Sequence, residues 1–599
     1  MMQRKTCVRW LAPAVLSAVV SPAMVGAVLA ASDAEQQLTR IVEAYFDDFE
    51  KLNPISATFN GNNAYNDRLP NSIGPEHIQA SLNLEKKYLQ EVSRVDANGL
   101  SPQARLSYEI FRRARQQQIE GHEFPDHLLP IDQFSGLPLF MPQLGTPGGV
   151  QPFNTARDYD NWLSRIDGFV VWMDQSIANM RIGMKQGVVQ PRVVVEKTLP
   201  QLEAMLVSKA EDSIFYAPLK SFPEALSSED RARIKPALEK AIMEKIVPAY
   251  RRVQVFMRDE YLPASRSTIA LTALPNGERW YAYNVRVLTT TTLTPAQIHD
   301  VGLVEVARIR SEMEKVKAQV GFKGDLAAFF DFMRKDPQFY FEREEQLLEG
   351  YRALKAGVAE RLPTLFSVQP RADFEIRPVE AFRARSAAGG SYRAATPDGS
   401  RPGVFYVNTY DMKARPKYAM DALYLHEAEP GHHFQISIQR ELGDLPRFRR
   451  FGGYTAYSEG WGLYAESMGK ELGLYQDPYS YFGGLSSEIF RAVRLVVDTG
   501  MHSKGWTREQ SIEYMMANRP AGETVAISET ERYIAIPGQA LAYKVGELKI
   551  KELRERARTR LGSKFDVREF HTQVLVDGAL PLDVLEDKID RWIAAKLKG

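Results

Sequence analysis

The residues with the clearest chemical potential form one short segment, His426-Glu427-Ala428-Glu429-Pro430-Gly431-His432-His433. The chain has nine histidines, and three of them fall in this segment. In zinc sites of the His-Glu-x-x-His type, two histidines one helical turn apart bind the metal, and the glutamate after the first is the general base toward the bound water. The segment therefore predicts metal-assisted hydrolysis, with His426 as a zinc ligand and Glu427 as the base.

The position of the second ligand is less direct, because Pro430 stands where the simple motif has its second histidine. On a straight helix His432 would lie about 9 Å along the axis from His426, and His433 about 10.5 Å. Neither pair could bind one metal ion. Pro430 lacks the N–H that an unbroken helix needs, and Gly431 tolerates unusual backbone angles. We expect a two-residue bulge here that returns one of the two histidines to His426.

The first thirty residues have the features of a signal peptide. Residues 10–29 are apolar and uncharged, and three cations precede them, namely Arg4, Lys5 and Arg9. We expect a leader over 1–30 with cleavage near Ala30 or Ala31, and hence a periplasmic or secreted protein; an uncleaved N-terminal anchor is the alternative. The only cysteine, Cys7, lies in this leader. The remaining chain therefore offers only histidines and carboxylates as strong ligands for a transition metal.

The composition of the chain is that of a soluble globular protein, with 44% hydrophobic and 25% charged residues. Lys and Arg number 76 against 75 Asp and Glu, a formal net charge of +1. Such a balance gives no argument for nucleic acid or for an anionic membrane as a partner. We expect a peptide substrate as the partner, with no membrane contact beyond an uncleaved anchor.

The hydrophobic periodicity predicts a mainly α protein. Apolar residues recur every three or four positions in several long stretches, among them 38–52, 159–184 and 295–320. Short β-type runs at 374–377 and 404–408 predict a small sheet next to the metal-binding helix. We expect an N-terminal helical region over 32–370 and a C-terminal catalytic region over 371–599. The boundary is soft, and a substrate cleft is expected between the two helical halves.

The motif resembles the bacterial DUF885 family, whose members carry His-Glu-x-x-Pro-Gly-His-His. That family is similar to the helical zincin peptidases, which include thimet oligopeptidase, angiotensin-converting enzyme and the carboxypeptidase Taq group. The likeness extends through Glu459-Gly460-Trp461-Gly462-Leu463-Tyr464-Ala465-Glu466 and through the segments 531–533 and 537–540. The helical relatives have Gly-His as the second half of their motif. The resemblance therefore implies His432 as the second zinc ligand, with His433 as the alternate ligand or an outer neighbour.

The resemblance also implies a third ligand, a glutamate on a following helix, and Glu459 fits that position. Gly460 beside it would allow close helix approach. Glu466 lies two turns further along the same face, where it could orient a ligand histidine, pair with an arginine or replace a ligand. The plainer interpretation is a helix face that merely carries two glutamates.

Further candidates lie downstream. His502 and Tyr533 are candidates for the catalytic group that stabilises the oxyanion. Arg532, Gln539 and Tyr543 are candidates for substrate binding, since an arginine or glutamine there could bind a peptide C-terminal carboxylate. By the resemblance, the run 404–408 would be an edge strand along the cleft, to which a peptide adds through its backbone; the alternative is an edge covered by the neighbouring helix.

The leading hypothesis is a zinc-dependent peptidase that acts outside the cytoplasm. Two alternatives stay open at this point: a zinc-dependent esterase or amidase with a non-peptide substrate, and a non-catalytic helical binding protein with a structural metal site.

Overall fold

A computed structural model describes residues 32–146, 149–380, 384, 387–396, 402–520 and 522–598. The expected signal peptide and its cleavage site lie outside these residues. Helices dominate the structure and a single small sheet accompanies them, which confirms the mainly α prediction. Among the described residues, no helix combines the length and the apolar character that crossing a membrane requires.

Fourteen α-helices precede the sheet in the described chain, and Thr294 caps the one that begins at Pro295. The Thr294 side chain accepts a hydrogen bond from the backbone of Gln297, which completes a capping box. The fourteen helices are Asp33–Leu52, Pro54–Phe59, Pro75–Val92, Pro102–Gly121, Leu137–Leu144, Ala156–Gln186, Arg192–Glu203, Ser228–Ala241, Val247–Phe256, Leu262–Ala264, Gly277–Thr289, Pro295–Gln319, Leu326–Lys335 and Glu344–Ala359.

Ten α-helices follow the sheet in the part of the chain that the structure describes. We call Met420–Glu427 the first histidine helix, His432–Glu441 the second histidine helix, and Thr455–Ser467 the glutamate helix. The other seven are Arg447–Phe451, Pro478–Ser503, Arg508–Asn518, Glu523–Ala535, Leu541–Leu561, Val567–Leu575 and Leu582–Lys598.

The sheet has three strands, β1 (Phe374–Pro378), β2 (Gly390–Arg393) and β3 (Gly403–Val407). Their order is β1-β3-β2, with β3 parallel to β1 and antiparallel to β2. The small sheet was predicted correctly. The expectation of an edge strand at 404–408 was wrong, because β1 and β2 cover both sides of β3 and every residue of β3 is buried.

Packing joins the two regions on either side of position 370. Tyr351, from a helix before the sheet, packs edge-on against Phe405 of β3, which in turn contacts Tyr424 of the first histidine helix. Helix Pro295–Gln319 lies against helix Pro478–Ser503. The first histidine helix therefore rests on a core that both regions supply.

A cavity of about 800 Å³ separates N-terminal helices from the segment that leads into the glutamate helix. Aromatic rings line much of it: Tyr45, Phe46, Phe49, Phe59, Phe448 and Phe451. Thr455 also lines it and is the first residue of the glutamate helix. Because Thr455 and Glu459 are four residues apart, they share a helix face about 6 Å apart along the axis.

Candidate metal centre

A break in the helix brings the second histidine back to the first. The backbone leaves the helical region at Ala428 (φ −104°, ψ −108°) and at Gly431 (φ −78°, ψ −129°), and a new helix begins at His432. Where a two-residue bulge in one helix was expected, the structure has two helices that residues 428–431 connect. The imidazole rings of His426 and His432 end 4.7 Å apart between centroids.

Close packing fixes this break. A Cβ atom on Gly431 would lie only 2.0 Å from the carbonyl oxygen of His426, so a larger residue does not fit there. From the glutamate helix, the Trp461 indole N–H donates a hydrogen bond of 2.7 Å to the carbonyl oxygen of Pro430. The connection between the two histidine helices is therefore held from both sides.

Three potential ligand atoms converge at this point. The Nε2 atoms of His426 and of His432 each lie 3.4 Å from the same carboxylate oxygen, Oε2 of Glu459. All three ligand atoms lie within 4.8 Å of one another. Zinc with tetrahedral N and O ligands at about 2.1 Å places neighbouring ligand atoms about 3.4 Å apart. The spacing therefore fits a zinc ion with one tetrahedral position left for water or substrate.

Glu466 orients the first histidine. Its Oε1 atom lies 2.8 Å from Nδ1 of His426, so the opposite ring nitrogen is turned toward Glu459. Both side chains are buried. A Cβ on Gly462 would lie 2.7 Å from Cε1 of His426, so the glutamate helix lies directly against the ring. This carboxylate–histidine arrangement is the usual support of a metal-binding imidazole.

The electrostatics of the cluster favour a cation. Burial raises the pKa of the Glu459 carboxyl, but hydrogen bonds to His426 and His432, together with their charges, outweigh burial and leave the pKa well below its ordinary value. Burial lowers the pKa of His426, yet hydrogen bonds to Glu459 and Glu466 outweigh it and raise the pKa to about 9. The two carboxylates that face His426 thus favour a positive charge at this place, which a divalent ion would supply.

His433 faces away from the cluster. Its Nδ1 atom lies 3.0 Å from the hydroxyl of Tyr392 in β2, and its ring packs 4.5 Å from the ring of Phe374 in β1. Burial lowers its pKa to about 4. Of the two adjacent histidines, the structure brings His432 to His426 and directs His433 to the sheet.

Glu427 ends the first histidine helix and is partly exposed. Among the described residues, its carboxylate forms no hydrogen bond or ion pair. Its charge contributes to the raised pKa of His426, so the two groups are close enough to interact electrostatically.

The expectation for His502 needs correction. Its side chain is fully buried, its Nδ1 atom accepts a hydrogen bond of 2.9 Å from the Leu271 N–H, and its Nε2 atom lies 2.9 Å from the carbonyl oxygen of Tyr533. Both ring nitrogens are thus used to join three segments of the fold. His502 has no nitrogen left for a substrate.

The hydroxyl of Tyr533 is likewise occupied by hydrogen bonds within the protein. Its buried hydroxyl accepts a hydrogen bond from Nε of Arg494 and donates one of 2.5 Å to Glu529. The tyrosine beside the cluster is Tyr543, which is partly exposed: burial raises its pKa, and the charge of Glu459 raises it further. The oxyanion role expected of Tyr533 therefore fits Tyr543 better.

Arg532 and Gln539 lie close to these tyrosines. Arg532 donates to Oε1 of Gln539 at 2.8 Å and to Glu529 at 3.0 Å, so its guanidinium already has protein acceptors. Three arginines that the sequence analysis did not single out lie nearby: Arg491, Arg494 and Arg519. The spacing of Arg491 and Arg494, three residues apart in a helical stretch, was the signal available for two of them.

Among the solved structures that resemble this chain are two of proteins named a "putative lipoprotein". The one from Colwellia psychrerythraea has 29% sequence identity and a TM-score of 0.86, with 94% of this chain and 99% of that chain covered. The one from Shewanella oneidensis has 18% identity and a TM-score of 0.70, with 92% and 99% covered, and shows a shared fold. No protein of curated function matches the sequence.

The family described as "Bacterial protein of unknown function (DUF885)" matches residues 54–589. That match spans both histidine helices, the glutamate helix and the sheet. The chain belongs to the DUF885 family.

Proposed function

We propose that this protein is a zinc-dependent peptidase that hydrolyses peptides outside the cytoplasm. The observation that carries the proposal is the placement of two histidine Nε2 atoms, each 3.4 Å from one oxygen of Glu459, with Glu427 directly beside His426. His426, His432 and Glu459 would hold the zinc. When bound, zinc acts as a Lewis acid that polarises the scissile carbonyl and makes a bound water easier to deprotonate.

Glu427 supplies the general base. Its carboxylate is partly exposed and has no partner among the described side chains, so it is free to accept a proton from the attacking water. It then passes that proton to the leaving amine. Tyr543 is the donor for the developing oxyanion, because its phenol is partly exposed, lies within reach of the Glu459 charge and is protonated at neutral pH.

A peptide is the substrate class that the neighbouring cavity favours over a small ester. The cavity is large, and besides its aromatic rings it carries four amide side chains, which can bond to a peptide backbone: Asn53, Asn60, Gln117 and Gln118. Through Thr455 it reaches the glutamate helix one turn from Glu459.

An extracytoplasmic location is part of the proposal. It is supported by the signal-like leader in the sequence and by the lipoprotein names of the two similar structures.

The test is peptide hydrolysis by zinc-loaded protein, followed by mass spectrometry of a defined peptide mixture. Glu427→Gln should keep stoichiometric zinc and lose about 10²- to 10⁴-fold in turnover, because the base is removed without touching a ligand. Glu429→Gln is the matched control: Glu429 accepts a hydrogen bond from the Tyr424 hydroxyl at 3.3 Å, which glutamine can also accept, so turnover should stay at the wild-type level.

Undiminished turnover by Glu427→Gln would overturn this mechanism. Cleavage of esters without cleavage of any peptide would show that the protein is an esterase and not a peptidase.

A further inference from the structure

Three guanidinium groups surround the ring of Phe490. The Cζ atoms of Arg519, Arg494 and Arg491 lie 3.7, 4.1 and 5.3 Å from its centroid. We call these three residues the arginine cluster. Like charges gathered around one ring repel one another, so nearby anions would stabilise the cluster.

The protein does not supply enough acceptors for these arginines. Arg519 forms no hydrogen bond or ion pair among the described residues, and its Nε and Nη1 atoms are buried without a partner. Nη1 of Arg494 and Nε of Arg491 are also buried and unpartnered. Buried N–H groups almost always have an acceptor, and one left without it costs free energy.

The nearby carboxylates are already in use. Glu529 pairs with Arg494 at 3.3 Å and with Arg532 at 3.0 Å. Glu466 lies 3.6 Å from Arg491, but it also bonds to His426 at 2.8 Å and serves that imidazole. No carboxylate of the described residues pairs with Arg519. Burial lowers its pKa to about 10, and the charges of Arg494 and Arg491 contribute in the same direction.

The cluster borders the candidate metal centre. Arg491 is separated from His426 by the Glu466 carboxylate alone. The guanidinium of Arg494 lies 4.6 Å from the ring centre of Tyr543, the tyrosine beside Glu459. The arginine cluster therefore lies next to residues that support the candidate metal centre.

We propose that the arginine cluster binds the C-terminal carboxylate of the peptide substrate, so that the protein cleaves peptides with a free C-terminus in preference to peptides with a blocked one. This rests on the proposed peptidase function and adds its end preference. Arg519 and Arg491 are partly exposed, and Arg519 is the one without an acceptor of its own among the described residues, so the carboxylate would pair with Arg519. A guanidinium matches a carboxylate with two parallel charge-assisted hydrogen bonds, which an amide or ester terminus cannot form equally well.

The test compares three peptides: one with a free C-terminal carboxylate, the same sequence with a C-terminal amide, and a variant whose last residue is an amidated aspartate, which offers only a side-chain carboxylate. Wild-type protein should cleave the free acid with a kcat/KM about 10- to 100-fold above the amide, as expected for charge-assisted hydrogen bonds. Arg519→Gln should lose about that factor on the free acid only, so that acid and amide become equal.

Arg310→Gln is the matched control. Arg310 donates to the carbonyl oxygen of Ala517 at 2.7 Å, next to the same loop, but lies outside the cluster. It should keep the wild-type ratio of acid to amide cleavage. A second readout is the affinity of zinc-loaded Glu427→Gln protein for the three peptides by calorimetry, which should follow the same order without any turnover.

Equal cleavage of acid and amide by the wild type would overturn the carboxylate proposal while the peptidase function stands. So would an unchanged ratio in Arg519→Gln, or cleavage of the amidated aspartyl peptide as fast as the free acid. If the wild type cleaves none of the peptides, the proposed function fails, and the binding order decides the carboxylate proposal by itself: preference for the free acid supports it, and equal affinities overturn it.

Discussion

His432 and His433 are neighbours in sequence but face different parts of the molecule, one toward Glu459 and the other toward Tyr392 of the sheet. The sequence could identify His426 and Glu427 because they stand side by side in one motif. It could not choose between the two later histidines, because the choice depends on backbone angles at Ala428 and Gly431.

Other residue roles depend on partners far along the chain. The ring nitrogens of His502 are taken by backbone groups of Leu271, 231 residues away, and of Tyr533, 31 residues away. No local pattern around His502 reveals them. The same holds for Tyr533, whose hydroxyl is taken by Arg494, 39 residues away.

One prediction belongs to the support of the first ligand. Glu466→Gln removes the charge that holds Nδ1 of His426, and we expect zinc affinity to fall by about 10- to 100-fold, measured by competition with a chromogenic chelator. Glu471→Gln, which removes a half-exposed carboxylate paired with Arg554, should leave the affinity as it is. Equal affinities of the two variants would show that Glu466 does not support the metal site.

At the scale of elements, the site depends on how closely the glutamate helix approaches its neighbours. A Cβ on Gly460 would lie 2.5 Å from Cα of Gly546 in helix Leu541–Leu561, which confirms the close approach expected at Gly460. This contact could be predicted from the local sequence, because small residues are typical of places where two helices approach closely. The position of β3 between β1 and β2 could not be inferred in that way, since parallel pairing with β1 joins segments that are distant in sequence.

The second prediction concerns this helix contact. Gly460→Ala should lower the free energy of unfolding by about 1–3 kcal/mol, because the added methyl meets backbone atoms that cannot move aside. Chemical denaturation of metal-free protein measures the change. Gly443→Ala is the control, since nothing lies within 4 Å of the position that its added methyl would take. The account of this contact is incorrect if both variants are equally stable.

At the scale of the whole molecule, buried neutral histidines tie distant segments together. His571 contacts the carbonyl oxygen of Leu365 and the hydroxyl of Tyr464, each at 2.7 Å. Burial lowers the pKa of His571 to about 3 and that of His502 to about 4. The mainly helical architecture was predictable from periodicity. These contacts between distant segments were not, because single histidines carry no periodic signal.

These histidines make stability depend on pH. The unfolded chain binds protons at histidine below a pKa of about 6.5, whereas the folded chain keeps His502 and His571 neutral down to pH 4 or lower. Their contribution to the free energy of unfolding is therefore complete above pH 6.5. About 3 kcal/mol for each histidine is lost as the pH falls toward 4. The melting temperature should fall over this range.

The variant His502→Gln should melt well below the wild type near pH 7.5, and the gap should narrow near pH 5, because glutamine does not titrate. Parallel melting curves for the two proteins across this range would contradict the assignment of a neutral, buried His502.

The most direct test of the central claim is a crystal structure of the zinc-loaded protein with anomalous diffraction collected at the zinc edge. We predict one zinc ion bound to Nε2 of His426, Nε2 of His432 and the Glu459 carboxylate, with a water in the fourth position. Absence of zinc between these three residues, or zinc bound to His433 instead, would contradict the account.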